Sequence, residues 1–447
     1  MRSLLTAFLI CSSLLTLAGC NILTSSSSLP GSVGSLSSGR QSETDPQPGE
    51  IDALPNESIT VAGGTATIPI LSVRSNWTQT GGSAANLTNH TPFRTNASLA
   101  WIYEASSRMR RGRLATTEPL IVGSRAYVLS WDLTISALDV ATGRRLWQRD
   151  LKPTGERDGA FGGGMAAGAN SLFVATGAGQ LHALDLENGN VSWTKALSGA
   201  TRSGPLVHLG NLFVTTMSGD IDAFSYAGTK LWTHEADTSL TGILGPTKAA
   251  GAGNGLFTLE PAGELKALLD NGKEAWSLDL AVQGTTGALG DRISDSRALP
   301  VVNGNFILVS SWSDRTIGIV ASTGTKLWEA PVGSTATPAV TAQNIFLVSK
   351  DGKLRALRRD TGAQVWATEL TRKTQDRRVP GVGYFGPLLA GGHLIVGTSE
   401  GYIQYYHISN GTFVREINVG SPLVTDMTLA KGTLLVTTID GKIRAYR

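Results

Sequence analysis

Beyond residue 96 the chain alternates short apolar runs with turns rich in Gly, Asn and Ser, and the alternation itself repeats. Residues 205–232 (PLVHLGNLFVTTMSGDIDAFSYAGTKLW) show one period: an apolar strand, a Gly-Asn turn, LFVTT, a Ser-Gly-Asp turn, IDAF, an Ala-Gly turn and a strand ending in Trp. Runs this short, at hairpin spacing and separated by residues that tolerate positive φ, predict one antiparallel sheet of four strands. A Gly followed four residues later by Trp marks each period, at Trp147, Trp193, Trp232, Trp276, Trp328 and Trp366. A seventh copy, NGTFVR, carries Arg415 in place of Trp. Successive marks lie 46, 39, 44, 52, 38 and 49 residues apart, the size of a propeller blade.

Inner strands are expected to begin near Pro119, Met165, Pro205, Pro246, Pro300, Pro338, Pro387 and Pro422. The fold class is therefore all-β, an eight-bladed β-propeller of four-stranded antiparallel blades over residues 97–447. The last blade stops after its third strand. SLAWIYEA (98–105) is expected to supply its outer strand and close the ring, with Trp101 at the repeat's Trp position. All seven Trp are expected to wedge between blades as core rather than to form a binding surface.

The ends read differently. Residues 1–19 carry one basic residue, Arg2, and then an apolar run too short for a comfortable span, the layout of a signal peptide. The run ends in Leu-Ala-Gly-Cys, similar to a bacterial lipobox, which makes Cys20 the expected lipid anchor. Cys11 lies inside the segment to be removed, so Cys20 has no disulfide partner. Residues 20–58 are rich in Ser, Gly and Pro and read as a flexible tether. Residues 59–96 hold strand-like pieces and a WTQTGG element, with no assigned structure.

With 16% charged residues and a formal net charge of +3, nothing in the composition points to nucleic acid. The six histidines fall in no HxH or HExxH spacing, and P-loop and EF-hand patterns are missing. No catalytic residue, metal ligand or cofactor is expected. The one dense charge cluster is GDRISDSR (290–297). It lies in the longest link from an outer strand to the next inner strand, and such links share one propeller face with the middle turns. The preceding blade contributes ADTSLTGILG (236–245) to the same face. An apolar loop beside a charged one has the composition of an interface, with an apolar centre and a charged rim. Basic loops at 107–113 and 372–378 fall at equivalent places and are expected to be solvated.

The lipobox, blade endings such as ALDVATGRRLW and ALDLENGNVSW, the run GHLIVGTSEGYIQYYHISNGTFV and the loop GDRISDSRALPVVNG together resemble the BamB family of outer-membrane protein assembly factors. The resemblance implies a non-enzymatic, lipid-anchored subunit facing the periplasm from the outer membrane. Such a subunit docks onto the POTRA modules of a BamA-like barrel protein and assists unfolded outer-membrane clients. Carried over by position, the docking residues are Ser239, Leu240, Thr241 and Gly242 with Asp291, Arg292, Asp295 and Arg297. Leu240 is the implied apolar anchor and Asp295 a charged contact. Thr241 stands where the family often has a basic residue and Arg297 where an acidic one is familiar. Two other readings fit a propeller of this repeat: a periplasmic quinoprotein dehydrogenase using pyrroloquinoline quinone, and a binder of glycan or peptidoglycan.

Overall fold

The computed structural model describes residues 59–105, 117–153, 162–237, 248–261, 263–280, 298–311, 314–334, 336–372 and 382–447. Their strands form eight four-stranded antiparallel sheets, each built from strands consecutive in sequence except the last. Blades 1 to 7 span 120–150, 163–196, 206–234, 248–279, 301–330, 339–369 and 384–418. In blade 8, Thr428–Ala430, Thr433–Thr437 and Lys442–Tyr446 are completed by Leu99–Glu104, which pairs with the C-terminal strand. The ring is thus closed by the first strand of the propeller, as expected.

One boundary differs. The inner strand of blade 8 begins at Thr428 rather than near Pro422. Leu423 and Val424 do pair with Thr438 and Thr437, but the ladder is interrupted before Thr428. There Asp426 turns its carboxylate to the Gly386 amide of blade 7.

The Trp repeat has one geometric explanation. In each of blades 1 to 6 a bulge between third and outer strands sets the Trp opposite a residue with little or no side chain: Ala137, Ala183, Ala223, Ala267, Gly318 and Ala356. The indole then lies across the boundary onto the turn glycine of the following blade. Trp328 packs on Gly362, where a Cβ would come within 2.5 Å of the ring and where φ is +72°. The same Trp donates to the Arg359 carbonyl at 2.8 Å. Trp101, Trp147, Trp193, Trp232 and Trp276 make equivalent bonds to Val140, Leu186, Tyr226, Asp270 and Ala321. Only Trp101, Trp328 and Trp366 are buried; the other four are half-buried because the outer strand's far edge faces solvent. In blade 7 the pair is inverted: Tyr405 on the third strand faces Arg415, whose guanidinium lies 5.5 Å from the ring centre.

Residues 59–96 are placed by the ring rather than by a sheet of their own. Val61 and Ala62 bridge to Gln364 on the outer strand of blade 6. From Arg74 to Thr91 the chain then lies against the inner strands and their turns, and Trp77, Gln79, Asn86, His90 and Thr91 are all buried there.

Candidate docking face

The links between blades leave beside the middle turns, as the blade topology requires. The residue after the outer strand donates its amide to the middle turn of its own blade in Leu151→Leu133, Leu197→Gly179, Leu280→Gly263, Leu370→Gly352 and Val419→Gly401. Links 238–247 and 281–297 therefore start on one face, from neighbouring blades 3 and 4. Ser239, Leu240, Thr241, Gly242, Asp291, Arg292, Asp295 and Arg297 lie within these links and outside the described residues, as does Cys20. So do the basic loops, apart from Arg372. What the structure does describe is the footing of both links.

That footing comes from one register position on the third strand. The residue before the one facing the outer-strand Trp, or facing Arg415 in blade 7, is polar and buried in six blades: Ser136, His182, Asp222, Lys266, Gln404 and Arg444. At three of them the side chain reaches back to the link arriving from the preceding blade. Asp222 accepts from the Ser198 amide at 2.6 Å, Gln404 donates to the Thr371 carbonyl at 3.0 Å, and Lys266 reaches Asp237 at 2.5 Å. A Leu-x-Ala or Ile-x-Ala run marks the position in each of these blades but the seventh, where it reads Ile-Gln-Tyr, and which x clasps a link depends on packing between blades.

Lys266 is the most heavily engaged. Its ammonium also lies 3.1 Å from Glu260 and 3.7 Å from Glu264. Glu260 in turn meets His234 Nε2 at 2.8 Å and accepts from the Asp237 amide at 3.2 Å. Burial works to lower the Lys266 ammonium, but the hydrogen bonds it donates to Asp237 and Glu260 outweigh it and hold the group above its ordinary range. Burial likewise works to raise Glu260, and bonds from His234 and Lys266 leave it below the ordinary carboxylate range. Asp237, Glu260 and Glu264 are close enough to share a divalent cation, but the Lys266 ammonium stands among them and supplies the positive charge itself. A buried charge kept paired in this way costs several kcal/mol to strand, so the cluster fixes the start of link 238–247.

The second link is footed separately. Arg315 donates to the Leu280 carbonyl at 2.7 Å and pairs with Glu329. Burial would raise Glu329, but Arg315 and Lys326 hold it low. At the far end the Leu299 amide donates to Thr337 at 3.0 Å. Both links thus leave from rigid, charge-paired bases on adjacent blades. The sequence reading missed the His234–Glu260–Lys266–Asp237 network, whose members are spread over two blades with no spacing motif to reveal them.

A family model described as outer membrane protein assembly factor BamB matches residues 131–368 and 352–447. The outer membrane protein assembly factor BamB of Escherichia coli is 26% identical over 339 residues, covering 73% of this chain and 82% of that protein. The BamB of Yersinia pestis is 25% identical over 322 residues, covering 70% of this chain and 79% of the other. Among solved structures, BamB from Moraxella catarrhalis superposes with a TM-score of 0.64 at 18% identity, over 78% of this chain and 99% of that one. A quinohemoprotein alcohol dehydrogenase from Comamonas testosteroni gives 0.62 at 16% identity over 83% and 80% of the two chains, a likeness of fold. With its family model spanning most of the propeller, the chain belongs to the family of outer membrane protein assembly factor BamB.

Proposed function

We propose that this protein is a non-catalytic scaffold of outer-membrane protein assembly. It is held at the outer membrane on its periplasmic side by a lipid on Cys20. It docks through links 238–247 and 281–297 onto the POTRA modules of a BamA-like barrel protein and so brings unfolded outer-membrane clients to that machine. The observation that carries this reading is the pair of links rising from adjacent blades on one face, each from a charge-paired footing at Lys266 and Arg315. Footings of this kind limit the ordering cost that a docking loop incurs on binding. Leu240 is the apolar anchor, with Asp291, Arg292, Asp295 and Arg297 as the charged rim beside Ser239, Thr241 and Gly242.

The test is recovery of the barrel protein from detergent extract by tagged wild type and by Leu240→Ala with Asp295→Ala. Truncating a central hot spot typically costs about 2 kcal/mol or more, roughly a thirtyfold loss of affinity. The wild type should recover the barrel protein and the double variant should lose it. Equal recovery by both would remove these loops from the interface.

A further inference from the structure

The segment 74–91 forms a second ring inside the first. Its backbone and side chains meet the blades in their order around the propeller. The Arg74 carbonyl accepts from Lys431 of blade 8 at 3.0 Å, and Trp77 exchanges two backbone bonds with Ile121 of blade 1 at 2.7 and 3.0 Å. The Thr78 carbonyl accepts from Ala167 of blade 2, and the Gln79 amide group takes both the amide and the carbonyl of Val207 in blade 3. The Ala84 carbonyl accepts from Gly251 of blade 4 and Ala85 from Val302 of blade 5. Leu87 packs in an apolar cluster with Phe306, Val340 and Ile345 of blades 5 and 6. Thr91 exchanges bonds with Leu389 and Gly391 of blade 7.

The segment is braced across itself and shaped for its place. Ser72 donates to the His90 carbonyl at 2.7 Å, and Arg74 to the Leu87 carbonyl at 2.6 Å. Its turn needs glycine at Gly81 and Gly82, at φ +73° and +81°. A Cβ there would come within 2.6 Å of Asn86 and 2.5 Å of Arg74 respectively. The Gly81 amide ends on the Glu118 carboxylate at 2.9 Å. Asn86 spans two blades, donating to the Ala249 and Pro300 carbonyls at 3.1 and 2.9 Å. Beneath it remains a cavity of about 40 Å³ bounded by Gln79, Asn86, Phe213, Thr215, Ala249 and Leu299, room for a few waters and no more.

Nearly every bond in this arrangement is one that a propeller's inner strands offer to any extended chain: unpaired amides and carbonyls on strand edges, satisfied by backbone or by a primary amide side chain. The family match begins at residue 131, so these residues lie outside what the family model describes. We infer that the mouth of the channel on the inner-hairpin face is a binding site for extended polypeptide, and that this chain fills it in cis with residues 74–91 as a separable plug. The ligand class is an extended peptide presenting an aromatic residue, a primary amide two residues on and a second amide after a diglycine turn, as Trp77, Gln79 and Asn86 do. The docking links leave from the middle-turn face, so this inference stands or falls independently of the proposed docking.

Two measurements test it on the full chain. Native-state hydrogen exchange should show the Ile121, Ala167, Val207, Gly251, Val302, Gly391 and Lys431 amides opening together, at denaturant concentrations below the global transition. Gln79→Ala with Asn86→Ala should speed all of them at least tenfold, leaving third-strand amides such as Ala137 and Ala183 unchanged. Channel amides that exchange only with global unfolding, or a double variant that speeds every amide alike, would overturn the inference. In the second measurement a protease site is placed at residues 94–96, where Arg94 and Asn96 are exposed, and the cut segment is displaced in mild denaturant. The propeller should then bind a labelled peptide of residues 67–93 saturably and one to one, and a scrambled peptide not at all. Absence of binding, or loss of the fold when the segment leaves, would show it to be an integral part of the core instead of a ligand.

Discussion

Glu118 gives the sharpest quantitative handle on the channel. It precedes the inner strand of blade 1 and is buried, facing Asp426 from blade 8 and the Gly81 amide and Trp77 indole from the inner segment. Burial raises its carboxyl, the Asp426 charge raises it further, and the Gly81 bond only partly compensates, so it is pushed up to about 7. An unfolded chain would release this proton near the ordinary value of 4.5. The folded state therefore holds an extra proton across that interval, and stability falls as pH rises from about 4.5 to 7 and then levels off. At about 1.4 kcal/mol per pH unit, the loss by pH 8 is about 3 kcal/mol. Glu118→Gln keeps an acceptor for the Gly81 amide and removes the ionisation. It should be more stable than wild type by about 3 kcal/mol at pH 8, shrinking below about 1 kcal/mol at pH 5. In thermal melts this corresponds to about 4 °C, since a unit of this length gains roughly 0.8 kcal/mol/K of unfolding entropy. Melting followed by Trp fluorescence from pH 5 to 8 reads it directly. A variant no more stable than wild type at pH 8 would refute the argument. A gain equal at every pH would locate it in packing instead of titration.

Three further outcomes follow from the same structure. Lys266→Met leaves Asp237, Glu260 and Glu264 facing one another; the melting temperature should fall at pH 7 and recover in part with millimolar calcium, to which wild type is indifferent. Asp440→Asn strands the buried Arg444 guanidinium, now 2.7 Å from its carboxylate, and should cost about 3 kcal/mol in urea unfolding. Trp328→Ala removes an indole seated on Gly362 and its bond to Arg359, and should cost about 3–5 kcal/mol by the same measurement.

The propeller was legible because its determinants are local and repeated. A turn glycine and a Trp four residues on report both the strand spacing and the contact between blades, and the closing role of Trp101 follows from the same register. Other features hide from a linear reading. The aromatic missing at Arg415 reappears at Tyr405 on the neighbouring strand, a swap visible only once the two are paired. The Lys266 cluster draws on Asp237 and His234 from the blade before, so no motif announces it. The segment 74–91 has no periodicity to detect: apart from short turns such as Gly82 to Gln79 and Asn86 to Ser83, its partners are the backbone edges of different blades.

The inner ring also imposes an order on folding. His90 meets Gly392, Thr67 meets Asn344 and Arg415 meets Thr95, contacts separated by 302, 277 and 320 residues along the chain. Loops this long are closed late, because the entropy of bringing their ends together is lost before the contacts compensate for it. The residues made first are consequently the last to find their places. While blades form one after another, Trp77, Gln79 and Asn86 wait without partners, and they become fixed only when the circle they count around exists. Completion of the ring is thereby registered at its centre: a propeller lacking one blade would leave this segment nowhere to close.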